Sequence, residues 1–239
     1  MGFVDLHSHY VPGIDDGVRD VNEGVALLKE LRRIGFERVI ATPHMRPSLF
    51  DNQREDLERA FEALRPHFDQ PGLPETALSS EHYFDDVVYQ RLLEGRGLPY
   101  PGGKAVLLEF YEIDFPPMID RCFSELRRRG LLPVIAHPER YRCLWGSTDA
   151  LERLVDGGAA ALLDTAALVG KYGRKPQQAA EAILELGLYH AACSDAHRPA
   201  DAAQVERGMR RIEELYGPDE LQFLFADGPR ALLGGELPA

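Results

Sequence analysis

Residues 4–9 read Val4-Asp5-Leu6-His7-Ser8-His9, and Ile14-Asp15-Asp16-Gly17 follows closely. A short apolar run leads into two histidines one residue apart. Alternate side chains of a strand share a face, so at a strand end His7 and His9 converge on one point. Neutral imidazole is the commonest protein metal ligand, and the carboxylates just behind, Asp15 and Asp16, neutralise a divalent cation. A lone His-x-His is a weak signal. Its meaning depends on whether other strand ends supply matching ligands.

Short apolar runs alternate with longer amphipathic stretches along the chain. Strands are expected at Phe3–His7, Arg38–Thr42, Ala77–Phe84, Ala105–Phe110, Leu132–Ala136, Ala160–Asp164 and Tyr189–Cys193. Between the first two, Asp20 reads as an N-cap, with Glu23 completing a capping box and Gly35 ending the helix. Further helices are expected at Asp51–Phe68, Asp85–Glu94, Pro116–Arg129, Ser147–Asp156, Pro176–Leu186, Ala202–Tyr216 and Pro218–Phe225, with Asp227–Ala239 as a tail. Strand–helix alternation implies parallel strands joined by right-handed crossovers. No low-complexity segment or long linker divides the chain. A distorted seven-stranded (β/α) TIM-like barrel, one domain over residues 1–239, fits best; a doubly wound open sheet is the alternative.

Nearly every expected strand ends in a metal-competent side chain: His7 and His9, His44, Glu81, Glu109, His137, then Asp195 and His197. In a parallel barrel all carboxyl ends meet on one face, where active sites form, so these scattered residues converge. Each alone has an ordinary explanation, such as a capped loop carboxylate or a turn histidine. The joint pattern is far more specific than its parts. Histidines plus carboxylates without thiolates suit Mn²⁺, Fe²⁺ or Zn²⁺. Counting one of Asp15 and Asp16, the nine ligands exceed the needs of two ions, and three ions with a bridging carboxylate use them naturally. Such a site yields hydroxide near neutral pH and clamps anionic oxygens, which suits phosphate-ester hydrolysis. Arg140 and Arg198 follow His137 and His197 closely, and the arginine fork holds phosphate oxygens in pairs. Cys122 and Arg128 have the C-x₅-R spacing of cysteine phosphatases, but Phe123–Arg127 has no glycine and reads as a helix, whereas that loop must wrap N–H groups around phosphate.

Composition bounds the rest. At 239 residues, 39 acidic against 27 basic residues give a net charge of −12, which argues against nucleic-acid or membrane-surface binding. No apolar run approaches the ~20 residues of a membrane span, and no secretory apolar region precedes the first strand. The odd set Cys122, Cys143 and Cys193 suggests a reduced, cytoplasmic setting.

With these residues in place, the sequence resembles the PHP (polymerase and histidinol phosphatase) superfamily. It is most similar to the bacterial protein-tyrosine phosphatases of capsular and exopolysaccharide loci, the CpsB/YwqE type. The matching segments are Asp5–His9, Pro12–Gly17, Ala41–His44, Ser80-Glu81, Leu108–Phe110, Ala136–Tyr141 and Ser194–His197. The resemblance implies a distorted seven-stranded barrel holding three divalent ions, Mn²⁺ foremost. His7, His9, Glu81 and Asp195 would hold one; Glu81 would bridge to a second, completed by Glu109 and His137. His44, His197 and an aspartate, Asp16 in preference to Asp15, would hold the third. Arg140 and Arg198 would bind phosphate, and an ion-bound hydroxide would attack phosphorus directly. The implied substrate is phosphotyrosine in the C-terminal tail of a membrane-bound kinase controlling polysaccharide export. Histidinol phosphatase activity, or a non-catalytic metal-stabilised regulatory module, is the alternative. The chain departs from the family pattern in three places: Ser79-Ser80 stands before Glu81, Met45 rather than a second histidine follows His44, and Leu162–Thr165 follows the sixth strand. Arg198 matches the family's second arginine only across a gap.

Overall fold

A computed structural model describes residues 2–238, so residues 1 and 239 of the expected domain and tail lie outside it. The strands are β1 (Phe3–Ser8), β2 (Phe36–Ala41), β3 (His44–Met45), β4 (Glu75–Leu78), β5 (Glu81–Tyr83), β6 (Ala105–Glu109), β7 (Leu132–Ala136), β8 (Ala160–Asp164) and β9 (Ala191–Cys193). All pair in parallel, in the orders β1-β2-β4 and β3-β5-β6-β7-β8-β9. The break between the two sheets is local. Pro43, which has no N–H to donate, separates β2 from β3, and Ser79-Ser80 separates β4 from β5. The interrupted pairs stay joined by Ser79 N–H to Ala41 O (2.8 Å) and Glu81 N–H to Thr42 O (3.3 Å). The ring closes where Asp195 N–H donates to His7 O and His9 N–H to Ala196 O, both 2.9 Å. Seven strand positions therefore form a closed barrel, and the open-sheet alternative falls. The expected continuous third strand, Ala77–Phe84, is corrected to β4 and β5.

Helices α1 (Val21–Arg33), α2 (Arg54–Phe68), α3 (Asp86–Leu93), α4 (Ile119–Arg128), α5 (Asp149–Asp156), α6 (Arg174–Glu185), α7 (Ala202–Tyr216), α8 (Pro218–Gln222) and α9 (Gly228–Gly234) surround it. Both faces of the strands are apolar because both are buried, one inside the barrel and one under the helices. Val4, Leu6, Ile40, Leu107, Val134, Leu162 and Cys193 fill the barrel, while Val39, Val106, Ile135, Leu163 and Ala192 pack under the helices. Cys193 is thus a packing residue. Asp20 caps α1 by accepting from Glu23 N–H (2.9 Å), but the Glu23 carboxylate accepts from Arg19 N–H rather than returning to Asp20. The expected tail is the other correction: residues 228–234 form α9. Gly228-Pro229 reads as a break, yet proline at the first helical turn loses no hydrogen bond. Leu232 of α9 joins the barrel-interior cluster with Tyr100, whose hydroxyl donates to Leu6 O (2.9 Å). The floor of the barrel is therefore closed, and the mouth is the end left for chemistry.

Candidate metal centre

At the mouth, the carboxyl ends of β1, β6, β7 and β9 and the first residues of the short segments β3 and β5 bring the histidines and carboxylates together. Their inner atoms form four overlapping sets in which ligand atoms lie within 4.8 Å of one another: His9/Asp16/His44/His197, His7/His9/Asp195, His7/Glu81/His137 and His44/Glu81/Glu109. Glu81 is central. Its Oε1 lies 2.8 Å from His137 Nε2 and 3.3 Å from His7 Nε2, and its Oε2 lies 3.0 Å from His44 Nδ1 and 3.7 Å from His9 Nε2. Asp195 Oδ1 is 3.2 Å from His7 Nε2 and 3.3 Å from His9 Nε2. Glu109 stands 3.8 Å from His44 Nδ1.

Local interactions aim these rings. His7 Nδ1 meets Thr42 Oγ1 at 2.5 Å, His9 Nδ1 meets Asp15 Oδ2 at 2.8 Å, and His197 Nδ1 meets Asp195 O at 3.0 Å. A partner on one nitrogen fixes the ring and presents the other inward. Asp5 ties the floor of this wall together, accepting from Ser194 N–H (2.9 Å) and from the Ser194 hydroxyl (2.5 Å). His137 and Asp195 adopt left-handed φ of 32° and 41°, a conformation that costs about 1–3 kcal/mol for a non-glycine residue and is found at functional sites.

The two first-loop aspartates separate by geometry. Asp15 is consumed by His9, by Gly17 N–H (2.9 Å) and by His44 N–H (3.2 Å), and it belongs to none of the four sets. Half-exposed Asp16 points Oδ1 at His44 Nε2 (3.4 Å) and His197 Nε2 (3.5 Å). The loop has no room beneath it: a Cβ on Gly17 would sit 2.3 Å from His9 O and 2.7 Å from His9 Cβ. Gly17→Ala is accordingly expected to displace His9, costing ~1–3 kcal/mol of stability and about a hundredfold in turnover, the scale of a 1 Å misplacement. Thermal melts and steady-state kinetics check this.

The donor set fits divalent ions. Among the described residues, buried polar atoms without a hydrogen-bond partner include His7 Nε2, His9 Nε2, His44 Nδ1, His137 Nδ1, Glu109 Oε2 and Asp195 Oδ1. Each such atom costs about 1–3 kcal/mol when unmet, and those of His7, His9, His44, Glu109 and Asp195, all residues of the four sets, make a cradle for cations. Charge balance agrees. Burial opposes ionisation of Glu81 and Asp195, yet His7 and His44 hold Glu81, and Arg140 and His7 hold Asp195, well below the carboxylate range. Hydrogen bonds from His197 and His44 lower Asp16. Burial and the charge of Glu81 push Glu109 up to about 7.

The arginines differ. Arg140 Nη2 donates to Asp164, Asp195 and Tyr172 Oη (the last at 2.7 Å), and its guanidinium lies over the Tyr172 ring at 4.0 Å. It lines a cavity of about 140 Å³ with Asp16, His44, Glu81 and Glu109. Arg198 turns the other way, donating to the carbonyls of Gly17, Asp16 (3.2 Å) and His197 (2.7 Å), and is absent from the cavity wall. Sequence reasoning passed over Arg46, Leu49 and Phe50, which do line it. The Phe50 ring stacks on His44 with centroids 5.3 Å apart and planes 8° from parallel. Cys122 and Arg128 sit within α4, where Arg128 pairs with Glu125, so no cysteine phosphate loop exists there.

A closed parallel barrel with histidines and carboxylates gathered at its carboxyl mouth is a PHP- and amidohydrolase-like fold. Residues 3–234 match the model of the capsular polysaccharide synthesis family CpsB/CapC, and the chain belongs to that family. It is 27% identical over 232 residues to tyrosine-protein phosphatase YwqE of Bacillus subtilis, covering 96% of this chain and 91% of the relative. To tyrosine-protein phosphatase CpsB of Streptococcus pneumoniae it is 26% identical, covering 98% and 99%. A solved structure from work on YwqE and CpsB, described as metal-dependent tyrosine phosphatases, superposes with a TM-score of 0.89 at 26% identity, over 98% of this chain and 95% of the other. An amidohydrolase from Mycoplasma synoviae shares the fold at a TM-score of 0.62 and 11% identity, over 97% of this chain and 87% of the other.

Proposed function

We propose that this protein is a metal-dependent protein-tyrosine phosphatase. The observation that carries the reading is the convergence of orphaned ligand atoms beside Arg140, in a family whose curated relatives bear that activity in their names. His7, His9, Glu81 and Asp195 would hold one ion, Glu81, Glu109 and His137 a second, and His44, His197 and Asp16 a third, with Mn²⁺ as the favoured metal. Bound ions would neutralise phosphoryl oxygens and bring a water to ionise near neutral pH. Arg140, held on one nitrogen by two carboxylates and Tyr172, offers the rest of its guanidinium to phosphate charge that grows in the transition state. Asp15 keeps His9 in register, and Arg198 holds the Asp16–Gly17 loop. No thiol takes part.

The substrate in this reading is phosphotyrosine in the tail of a kinase governing polysaccharide export, and the setting is cytoplasmic. The family's capsular role supports the former, and three unpaired cysteines support the latter. No described helix is long and apolar enough to cross a membrane.

Chelation should abolish hydrolysis of a phosphotyrosine peptide, and reloading with Mn²⁺ should restore it, with Cys122→Ser indistinguishable from the parent. Loss of activity in Cys122→Ser, faster hydrolysis of histidinol phosphate than of the peptide, or full metal loading without turnover would each overturn the reading.

A further inference from the structure

We propose that the hairpin Arg46–Phe50 is the substrate-recognition device of this centre: Arg46 binds a phosphate oxygen in the cavity it lines with Arg140, and Leu49 packs against the aryl ring. The inference rests on the phosphatase reading for its substrate class, but the anion-binding part stands on geometry alone. Arg198 turns its Nη1 onto the carbonyls of Asp16, Gly17 and His197 and does not line the cavity, which leaves Arg140 as the cation on one wall. The cavity is also lined by Arg46, which follows β3 directly. Its guanidinium lies 4.1 Å over the Tyr83 ring, and Nη1 is 4.0 Å from Glu109 Oε2, the outer limit of an ion pair. No carboxylate engages it more closely among the described residues, whereas Arg140 has two. A guanidinium stacked on an aromatic face keeps its plane fixed and its N–H fork free for an oxyanion.

The hairpin is built to hold a shape. Arg46 N–H donates to Phe50 O (2.9 Å), Phe50 N–H returns to Arg46 O (2.8 Å), and Ser48 takes the left-handed turn at φ 71°. Phe50 is stacked on His44, which couples the hairpin to the centre. Leu49, by contrast, is 60% exposed while lining the cavity. The cavity, about 140 Å³, is small beside the roughly 300–1,000 Å³ that encloses a drug-sized ligand. It takes a phosphoryl group and leaves the rest of the substrate at the rim, where Leu49 stands. An exposed leucine there is useful against a ring and does nothing for a bare anion.

Three variants separate these roles. Calorimetry of inorganic phosphate binding to the Mn²⁺-loaded protein needs no turnover. Arg46→Ala should weaken phosphate at least tenfold with metal content unchanged, Arg46→Lys should recover part of the loss, and Leu49→Ala should leave phosphate affinity within twofold. On a phosphotyrosine peptide, Leu49→Ala should raise KM about fivefold with kcat retained. Phosphate affinity within twofold of the parent in Arg46→Ala overturns the anion role. Metal loss in Arg46→Ala with phosphate affinity of the reloaded protein unchanged overturns it too, and assigns Arg46 to Glu109. An unchanged KM in Leu49→Ala overturns the ring contact. A protein that binds phosphate through Arg46 yet hydrolyses no phosphotyrosine peptide would sink the phosphatase reading while leaving the anion site standing.

Discussion

Glu81→Gln is expected to lower turnover on a phosphotyrosine peptide about a thousandfold, and to reduce bound metal in elemental analysis. The size follows from the several kcal/mol that metal ions contribute to transition-state charge, at ~1.4 kcal/mol per tenfold. Both Glu81 oxygens are engaged, each with two imidazoles, at 2.8 and 3.3 Å for one and 3.0 and 3.7 Å for the other. Glutamine keeps the shape, replaces one acceptor with a donor facing imidazoles, and removes the charge by which, in the proposed assignment, Glu81 would serve two cations. The fold has reason to survive, because Glu81 N–H still reaches Thr42 O (3.3 Å) and Pro43 O (3.2 Å) and keeps β5 in register. Far-UV circular dichroism separates loss of ions from loss of structure. A folded Glu81→Gln protein with full metal content and near-parent turnover would remove Glu81 from the bridging position.

The candidate ligands were legible in the sequence as a group because a barrel converts strand ends, which local apolar runs reveal, into neighbours in space. His7, His44, Glu109, His137 and Asp195 each stand at or just past such a run, and Glu81 inside one, so the barrel premise alone sufficed to group them. The choice between Asp15 and Asp16 was not legible, since a two-residue turn gives adjacent carboxylates similar reach and only the fold shows Asp15 turned under His9. Adjacency misled at the arginines for the same reason. Arg198 touches His197 in sequence but follows its loop back to Gly17, while Arg46 is carried into the cavity by the short β3 segment. The partners that orient these side chains, Thr42 on His7 and Asp164 on Arg140, come from neighbouring strands and leave no spacing signature. At the other end of the barrel, α9 was hidden by Gly228-Pro229, which reads as punctuation in a sequence and serves as a first turn in the fold.

Metal loading should reverse how stability depends on pH. In the protein alone, burial opposes charging of His7, His9 and His44, but Glu81, Asp195 and Asp15 overcome it and raise all three above the ordinary 6.5. Groups raised in the fold stabilise it fully below their unfolded values and lose that contribution as pH rises through the folded ones. Glu109, raised to about 7, acts with the same sign; His137, lowered by burial and Arg140, opposes. The lowered Glu81, Asp195 and Asp16 stabilise above the usual carboxylate range and lose this as pH falls through their folded values. The metal-stripped protein is therefore most stable in mildly acidic solution, between the ordinary carboxylate values near 4 and the ordinary imidazole value of 6.5, and weakens towards pH 8. Ions require the same imidazoles neutral, so protons compete with them, and binding to the folded state alone adds stability as RT ln(1 + c/Kd) at free ion concentration c, a contribution that grows as the apparent Kd falls with rising pH. The gap in Tm between Mn²⁺-loaded and stripped protein is expected to widen steadily from pH 5.5 to pH 8. A gap that is constant or narrows over that interval would mean that these histidines do not exchange protons for metal.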